Sequence, residues 1–209
     1  MMGISETYRR CVPSRHLYNI VHIGNVPSIL SRGAASHNSM ASCSRKDISL
    51  LDVQNRRAEV SFEKLGTKLH DYANLYFDAR NPMMYYLKFH REDFPNEYCV
   101  LALDYAILDL DGVLVTDSNA AYGLMRYGSP EAMLGSLDFA RIFARFWTDD
   151  DEIEMAKRKV QKCAEVLVPD AISPSYIRGA YVANETAKEL LRKKCPSVKV
   201  AVCGDLSFI

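Results

Sequence analysis

The sequence lacks the short signatures by which many nucleotide-binding and metal-binding proteins are recognised. No two of its six cysteines form a C-x-x-C pair, and no two of its five histidines have zinc-site spacing. Gly123 and Gly128 have P-loop spacing, but Ser129 stands where that loop needs lysine, and G-x-G-x-x-G and G-x-S-x-G runs are absent. These absences exclude P-loop and Rossmann-type cradles and a nucleophile-elbow hydrolase, and we expect no metal.

Long apolar runs and an excess of either charge are also missing. No stretch approaches the ~18 apolar residues of a membrane helix, so we expect no membrane span. Twenty-six basic residues balance twenty-six acidic ones, so the whole molecule has no field that attracts nucleic acid, and any such contact must be local. The N-terminus lacks the apolar run of a secretion signal. With scattered cysteines typical of reduced thiols, these features predict a cytoplasmic protein.

The chain has 209 residues, of which 48% are hydrophobic, and this predicts one domain over residues 1–209 with residues 1–17 as an N-terminal extension. We expect a monomer. Strands are predicted at residues 18–23, 98–106, 160–168, 176–182 and 198–202, with two more around an Asp-Gly turn in 107–115. Helices are predicted at residues 25–33, 47–60, 81 onwards, most of 120–147, and 185–194. This irregular mixture predicts the α+β class.

One charged residue interrupts an apolar, strand-like run near the end of the chain. Residues 162–169 read K-C-A-E-V-L-V-P. If this run forms a strand in which Val166 and Val168 are buried, Glu165 belongs to the same buried strand. A buried carboxylate without a partner is strongly unfavourable or shifts its pKa. Glu165 is therefore predicted to have a chemical function.

Residues 106–117 resemble the first motif of haloacid-dehalogenase-type phosphatases. In such an enzyme Asp109 would be the nucleophile and Asp111 the general acid, with magnesium nearby. That motif normally opens its domain, whereas only residues 113–209 follow it here, and the later motifs of the family are not found in them. Since an Asp-Gly turn accounts for the same letters, the phosphatase is the alternative reading.

Five segments form a family pattern when they are read together. Residues 18–30 read Y-N-I-V-H-I-G-N-V-P-S-I-L, and residues 70–85 read H-D-Y-A-N-L-Y-F-D-A-R-N-P-M-M-Y. Residues 53–57, 116–121 and 164–168 are the other three. The set resembles the DarT family of DNA ADP-ribosyltransferase toxins, which are the toxin half of toxin–antitoxin pairs. Each motif alone is weak, but their order and spacing over residues 18–182 are specific.

The resemblance implies an ADP-ribosyltransferase-like fold, with split mixed or antiparallel sheets and flanking helices. It also implies transfer of ADP-ribose from NAD, the co-substrate, to a base of single-stranded DNA. Glu165 would stabilise the oxocarbenium-like centre that forms when the nicotinamide bond breaks. Arg57, with Arg56 as the less favoured choice, would approach the NAD phosphates or the acceptor.

The resemblance also assigns NAD-binding residues. His22 and Asn25 would hold the nicotinamide ribose and amide. Arg80 would brace the turn beside the nicotinamide pocket. The expected walls of that pocket are Tyr72, Tyr76, Phe77 and Tyr85. Residues 73–75 read A-N-L where the family more often has V-P-F, and Asn81 replaces serine, so the inner shape of the pocket is expected to differ.

The expected partners are single-stranded DNA and a macrodomain antitoxin of the DarG type that removes ADP-ribose. Basic residues make residues 34–57 and the loop before Glu165 candidate DNA-binding surfaces. Thymine is favoured over guanine as the modified base. A non-catalytic, nucleotide-binding relic of the same fold is the remaining alternative, and the joint presence of His22, the 72–85 block and Glu165 favours the enzyme.

Overall fold

The computed structural model describes residues 3–12, 16–39 and 45–208. Of the six cysteines expected as reduced thiols, Cys43 and the side chain of Cys11 lie outside the described residues. The other four, Cys99, Cys163, Cys195 and Cys203, are free. No helix in the described part of the chain is long and apolar enough to cross a membrane.

Eight α-helices are described, and most are short. Their bounds are α1 Ile4–Cys11, α2 Val26–Arg32, α3 Leu51–Glu59, α4 Pro82–His90, α5 Pro130–Met133, α6 Phe139–Ile142, α7 Glu152–Gln161 and α8 Glu185–Lys194. Asn81 caps the start of α4, since its side chain accepts a hydrogen bond from the Met84 amide at 3.1 Å. Asn25 makes no such bond at the start of α2, because its side chain bonds to the backbone of Lys46 instead.

Twelve strands are described, and eight of them form one mixed sheet. The strands are β1 His16–His22, β2 Ala34–Ala35, β3 Ser61–Phe62, β4 Thr67–Lys68, β5 Tyr72–Tyr76, β6 Tyr98–Asp104, β7 Leu114–Thr116, β8 Tyr127–Gly128, β9 Glu165–Pro169, β10 Ala171–Ile172, β11 Ile177–Val182 and β12 Val200–Val202. The large sheet has the order β12-β11-β6-β1-β5-β9-β7-β8. Only β11 and β12 pair in parallel within it. The expected α+β class is confirmed.

The large sheet is split between β1 and β5. Strands β1 and β6 pair along their whole length, and β5 pairs with all of β9. In contrast, β1 and β5 meet at one residue pair, Tyr18 with Tyr76. Beyond it the Asn19 side chain donates to the Asn74 carbonyl at 3.1 Å, while the two backbones separate. The split that the family resemblance implies therefore opens a cleft in the middle of the sheet.

The main apolar core lies on one face of this sheet. Alternate residues of the strands enter it, including Leu75 and Val166, because successive side chains of a strand point to opposite faces. Helix α1, which falls within the expected N-terminal extension, packs on the same core through Tyr8, whose ring lies 5.7 Å from that of Phe77. The buried Tyr8 ring thus ties this part of the extension to the sheet.

Three expected elements differ from the structure. Residues 105–109 form a 3-10 helix, because the Asp104 side chain accepts from the Ala106 amide and caps it. The segment 120–147 is mainly irregular, since Gly123, Gly128 and Gly135 weaken a helix. The strand expected from residue 160 begins at 165, because α7, capped by Asp151, continues to Gln161.

Candidate active site

Glu165 is the first residue of β9 and is fully buried. Both of its carboxylate oxygens accept from Arg57 Nη1 at 3.0 Å. Oε1 also accepts from the Ala120 amide at 3.1 Å. Its own backbone amide donates to Thr116 Oγ1 at 3.0 Å. The carboxylate that the sequence pattern singled out is therefore paired and held in one orientation. Its hydrogen bonds offset the free-energy cost of removing it from water.

Arg57 is the arginine that reaches this carboxylate. It is the one buried residue of α3, at 6% exposure, whereas the adjacent Arg56 is exposed. Neighbouring residues of a helix point about 100° apart, so only one of the pair can face the sheet. The guanidinium borders two pockets and stands between them and Glu165.

Two pockets meet at the split in the sheet. The first, of about 220 Å³, lies beside α2 and includes Asn25, His37, Lys46, His70 and Tyr72; we call it the α2 pocket. The second, of about 380 Å³, lies beside α4 and includes Tyr76, Met83, Tyr86, Asn119 and Lys159; we call it the α4 pocket. They share the residues Asn19, Ile20, Ile48, Gln54, Arg57 and Asn74.

The α2 pocket has a basic wall that also carries aromatic rings. The imidazoles of His37 and His70 stack with centroids 4.2 Å apart, and His70 Nε2 lies 3.2 Å from Gln54 Oε1. Arg45 and Lys46 line the same pocket. Burial lowers the pKa of His70, and the nearby His37 and Arg57 lower it further. The wall offers ring faces and cationic donors, which suits a phosphorylated nucleotide.

His22 and Asn25 adjoin the α2 pocket, but both side chains have protein partners. His22 Nδ1 accepts from the Gly24 amide at 2.9 Å, and Nε2 lies 2.8 Å from Glu97 Oε2. Asn25 donates to the Lys46 carbonyl at 2.8 Å and accepts from the Lys46 amide at 3.0 Å. The Asn25 amide thus fastens the segment 45–48, which lines the pocket, whereas His22 is buried and is not among the lining residues.

His22 belongs to a small charged cluster outside the pocket. Its Nε2 and single oxygens of Asp93 and Glu97 lie within 4.8 Å of one another, a grouping able to hold a metal ion. The Lys46 ammonium already lies 3.2 Å from His22 Nε2 and 3.1 Å from Glu97 Oε2. Burial lowers the pKa of His22, and the charge of Lys46 lowers it further, although Glu97 and Asp93 oppose the shift.

Two of the four expected aromatic walls line the pockets. Tyr72 lies in the α2 pocket, where its hydroxyl is 3.0 Å from Thr67 Oγ1, and Tyr76 lies in the α4 pocket. Burial raises the pKa of the Tyr76 hydroxyl, and the charge of Glu165 adds to the increase. Phe77, by contrast, lies in the apolar core, because it follows Tyr76 and points to the opposite face.

Tyr85 and Arg80, which were also expected at the pocket, line neither of the two pockets. Tyr85 is 44% exposed and its ring lies against Phe89 and Trp147. Arg80 donates to the Arg145 carbonyl at 3.3 Å and to the Asp205 carbonyl, and its guanidinium lies over the ring of Phe208. It therefore braces the C-terminal segment rather than a ligand.

The phosphatase alternative fails on geometry. Asp109 ends the 3-10 helix of residues 105–109, Asp111 precedes Gly112 in a tight turn, and both carboxylates are exposed. Asp109 accepts a hydrogen bond from the Ser5 amide at 3.0 Å. A nucleophilic aspartate of that family needs the end of a buried strand, and an exposed turn does not provide one. The alternative is wrong.

The structure adds site residues that sequence reasoning did not single out. Thr116 and Ala120 hold Glu165, and their segment was identified only as a family motif. Gln54 and Asn74 border both pockets with amide groups. The position of Gln54 three residues before Arg57 on α3 was the available signal, since such residues share one helical face. Cys163 lines the α4 pocket, and burial raises the pKa of its thiol to about 12, so it is not a ready nucleophile.

Comparison with known proteins agrees with this geometry. Residues 18–202 match the family model described as "ssDNA thymidine ADP-ribosyltransferase, DarT". A DNA ADP-ribosyl transferase–DNA ADP-ribosyl glycohydrolase fusion protein of Thermosipho africanus is 31% identical over 199 residues, which cover 93% of this chain and 49% of the relative. The chain thus spans about half the length of that relative.

Solved structures show the same fold. The structure of Thermosipho africanus DarTG in complex with ADP-ribose superposes with a TM-score of 0.82 at 28% identity, covering 94% of this chain and 52% of that one. Thermus sp. 2.9 DarT in complex with ADP-ribosylated single-stranded DNA gives a TM-score of 0.78 at 24% identity, covering 92% and 95%. With the family model matching most of its length, the chain belongs to the DarT family.

Proposed function

We propose that this protein transfers ADP-ribose from NAD to a base of single-stranded DNA. The observation that carries the proposal is the position of Glu165. This buried carboxylate is bound by Arg57 where two pockets meet at the split in the sheet. A two-substrate transfer needs one pocket for each substrate and a fixed charge between them.

NAD is the substrate proposed for the α2 pocket. The fit rests on donor chemistry. Arg45 and Arg57 suit the diphosphate, and the rings of His37 and His70 add aromatic surface to the pocket wall. The segment 45–48, fastened by Asn25, would then cover the bound dinucleotide. His22 and Asn25 act in this proposal by positioning that segment.

Glu165 is proposed to act on the nicotinamide ribose. When the bond from C1′ to nicotinamide breaks, the electron pair leaves with nicotinamide and positive charge develops on the ribose. A fixed carboxylate stabilises that charge and can hold a ribose hydroxyl. In the structure the Arg57 guanidinium covers the Glu165 carboxylate. The guanidinium must therefore turn toward the diphosphate before the carboxylate can contact the ribose. A nitrogen of the acceptor base then bonds to C1′, and its proton passes to the Glu165 carboxylate and from there to water.

The acceptor base is assigned to the α4 pocket, and thymine is the favoured base. Tyr76 and Tyr86 offer ring faces there, and the amides of Asn74 and Asn119 can read the edge of a base. Lys159 and Arg56 line the same pocket and suit backbone phosphates. Thymine is named in the description of the matching family model. Oligonucleotides in which thymine or guanine alone is replaced test the choice.

The test of the function compares wild type with Glu165→Gln, incubated with labelled NAD and single-stranded DNA, duplex DNA or RNA. We expect label on single-stranded DNA with wild type and at least about a 100-fold slower reaction with the variant, because the amide cannot stabilise positive charge. The matched control is Glu63→Gln, an exposed glutamate that lies outside both pockets.

Three results would contradict the proposal. Label on protein but on no nucleic acid would identify a protein-modifying transferase. Binding of NAD without any transfer would identify a non-catalytic relic. Equal rates for Glu165→Gln and Glu63→Gln would remove Glu165 from the mechanism.

The biological setting is proposed from the family and from one relative. The Thermosipho fusion protein joins a DNA ADP-ribosyl transferase to a DNA ADP-ribosyl glycohydrolase. We therefore propose a toxin that acts as a monomer in the cytoplasm, countered by a DarG-type macrodomain protein that removes ADP-ribose. Expression of the wild type alone should stop growth, whereas Glu165→Gln or co-expression of such a macrodomain should restore it. Normal growth with active wild-type protein would contradict this setting.

A further inference from the structure

Helix α4 exposes aromatic rings beside the α4 pocket. Tyr85 and Phe89 lie one helical turn apart, with ring centroids separated by 4.7 Å. Tyr86 and His90 form a second pair, stacked at 4.1 Å with their planes 10° apart. We call these four residues the α4 aromatic face. Since Tyr86 also lines the α4 pocket, the face continues directly from the pocket onto the surface.

The α4 aromatic face is unusually apolar for a surface helix. Phe89 is 59% exposed and Tyr85 is 44% exposed. Folding alone does not favour large rings in water, and exposed apolar patches that border a pocket commonly mark binding surfaces. The rings are also preorganised, because each packs against its partner one turn along the helix. The face therefore presents flat surfaces at little entropic cost.

Positive charge without a matching carboxylate surrounds this face. Arg56 and Lys159 line the α4 pocket, and Lys88 and Arg91 lie in the last turn of α4 and directly after it. None of the four takes part in a salt bridge among residues 3–12, 16–39 and 45–208. Lys88 donates to the Phe208 carbonyl and Arg91 to the Asp47 carbonyl, both neutral groups. The uncompensated cations favour a polyanion over an apolar protein surface.

We propose that the α4 aromatic face stacks nucleotides that flank the modified one in the acceptor strand, with their phosphates near Lys88 and Arg91. This inference rests on the proposed function and extends its acceptor site beyond the pocket. Stacking on aromatic rings tolerates any base, because every base has a π-face. The face thus supplies affinity for the strand, while the α4 pocket selects the base that reacts.

The test compares acceptors of different length. An acceptor found in a random single-stranded pool is trimmed to about four and to about sixteen nucleotides, a range that spans common single-strand site sizes. In the double variant Phe89→Ala/His90→Ala, KM for the long strand should rise about tenfold while kcat and KM for NAD stay unchanged. The short strand should react as with wild type. The control is Ile153→Ala, which removes another exposed apolar side chain, from α7.

The two levels of the proposal fail in different ways. If wild type labels no DNA of any length, the proposed function falls and this inference falls with it. If wild type labels DNA and the double variant has an unchanged KM for the long strand, this inference alone is overturned. Weakened binding of a macrodomain protein in that second case would identify the face as a protein interface.

Discussion

At the scale of single residues, the site depends on a buried ion pair that is fully satisfied. Glu165 accepts from Arg57 and from the Ala120 amide, and its exposure is zero. Removing one partner of a buried pair leaves an uncompensated charge, which costs more than the pair itself contributes. The pair therefore couples stability to the proposed function, in which the same carboxylate must be ordered and close to the substrate.

This coupling predicts a non-additive mutant cycle. Arg57→Met should lower the free energy of unfolding by about 3–5 kcal/mol and reduce DNA labelling at least about 100-fold. Adding Glu165→Gln should recover part of the lost stability but none of the activity, because the buried charge is removed. Urea denaturation and labelling rates measure both effects. Arg56→Met is the neighbouring control and should change stability by less than about 0.5 kcal/mol. Additive stability losses would show that the two groups are not coupled.

His22 predicts how stability depends on pH. Its pKa is lowered in the folded protein, first by burial and then by Lys46, so the unfolded chain binds the proton more readily. The contribution of neutral His22 to the free energy of unfolding should be fully present above pH ~6.5. It should fall as the pH decreases through that value, by at most about 1.4 kcal/mol per pH unit for one proton. The variant His22→Asn, whose amide oxygen can still accept from Gly24, should show a shallower slope between pH 7.5 and about 5.5 in urea denaturation.

Because the pKa of His70 is also lowered, part of the slope should remain in His22→Asn and disappear when His70→Asn is added. An identical slope in wild type and His22→Asn would mean that His22 does not bind the proton in this range.

At the scale of elements, sequence patterns located single features of the fold better than they located the contacts around them. The misplaced charge in β9 identified Glu165, and the cap at Asn81 fixed the start of α4. Strand alternation alone indicates that Tyr76 and Phe77 lie on opposite faces of the sheet, one in the α4 pocket and the other in the core. The partner of Asn25 was not readable, because Lys46 is 21 residues away and belongs to no regular element. Contacts between irregular segments depend on tertiary packing, which local patterns do not encode.

The segment 45–48 behaves in this view as a strap held by Asn25. Asn25→Ala removes both hydrogen bonds to the Lys46 backbone. If this lowers the free energy of local opening by ~1.4 kcal/mol, trypsin should cleave after Arg45 and Lys46 roughly tenfold faster. KM for NAD should rise with little change in kcat, because the strap covers the α2 pocket without touching Glu165. Cleavage rates and steady-state kinetics measure the two effects. Asn55→Ala, an exposed site on α3, is the control, and unchanged cleavage in Asn25→Ala would rule out the strap.

At the scale of the whole molecule, the split sheet explains how one small fold has two adjoining pockets at its centre. The half-sheet containing β6 and β1 and the half containing β5, β9 and β7 meet at the single pair of Tyr18 and Tyr76. A continuous sheet would satisfy its backbone groups internally and leave no room at its centre. Here the separated edges line the pockets, so that a ligand contacts both halves at once.

A ligand that bridges the two halves should stabilise the whole fold. At about 100 times its Kd, NAD should add about 2.7 kcal/mol, which for a chain of this size raises Tm by roughly 5–10 °C. Glu165→Gln, which slows turnover, is the suitable protein for thermal scans with NAD. Hydrogen exchange then locates the effect, and amides of residues 19–22 in β1 and 72–75 in β5 should both become slower to exchange. Protection of only one edge would place NAD outside the cleft, because a molecule bound between the half-sheets cannot order one of them alone.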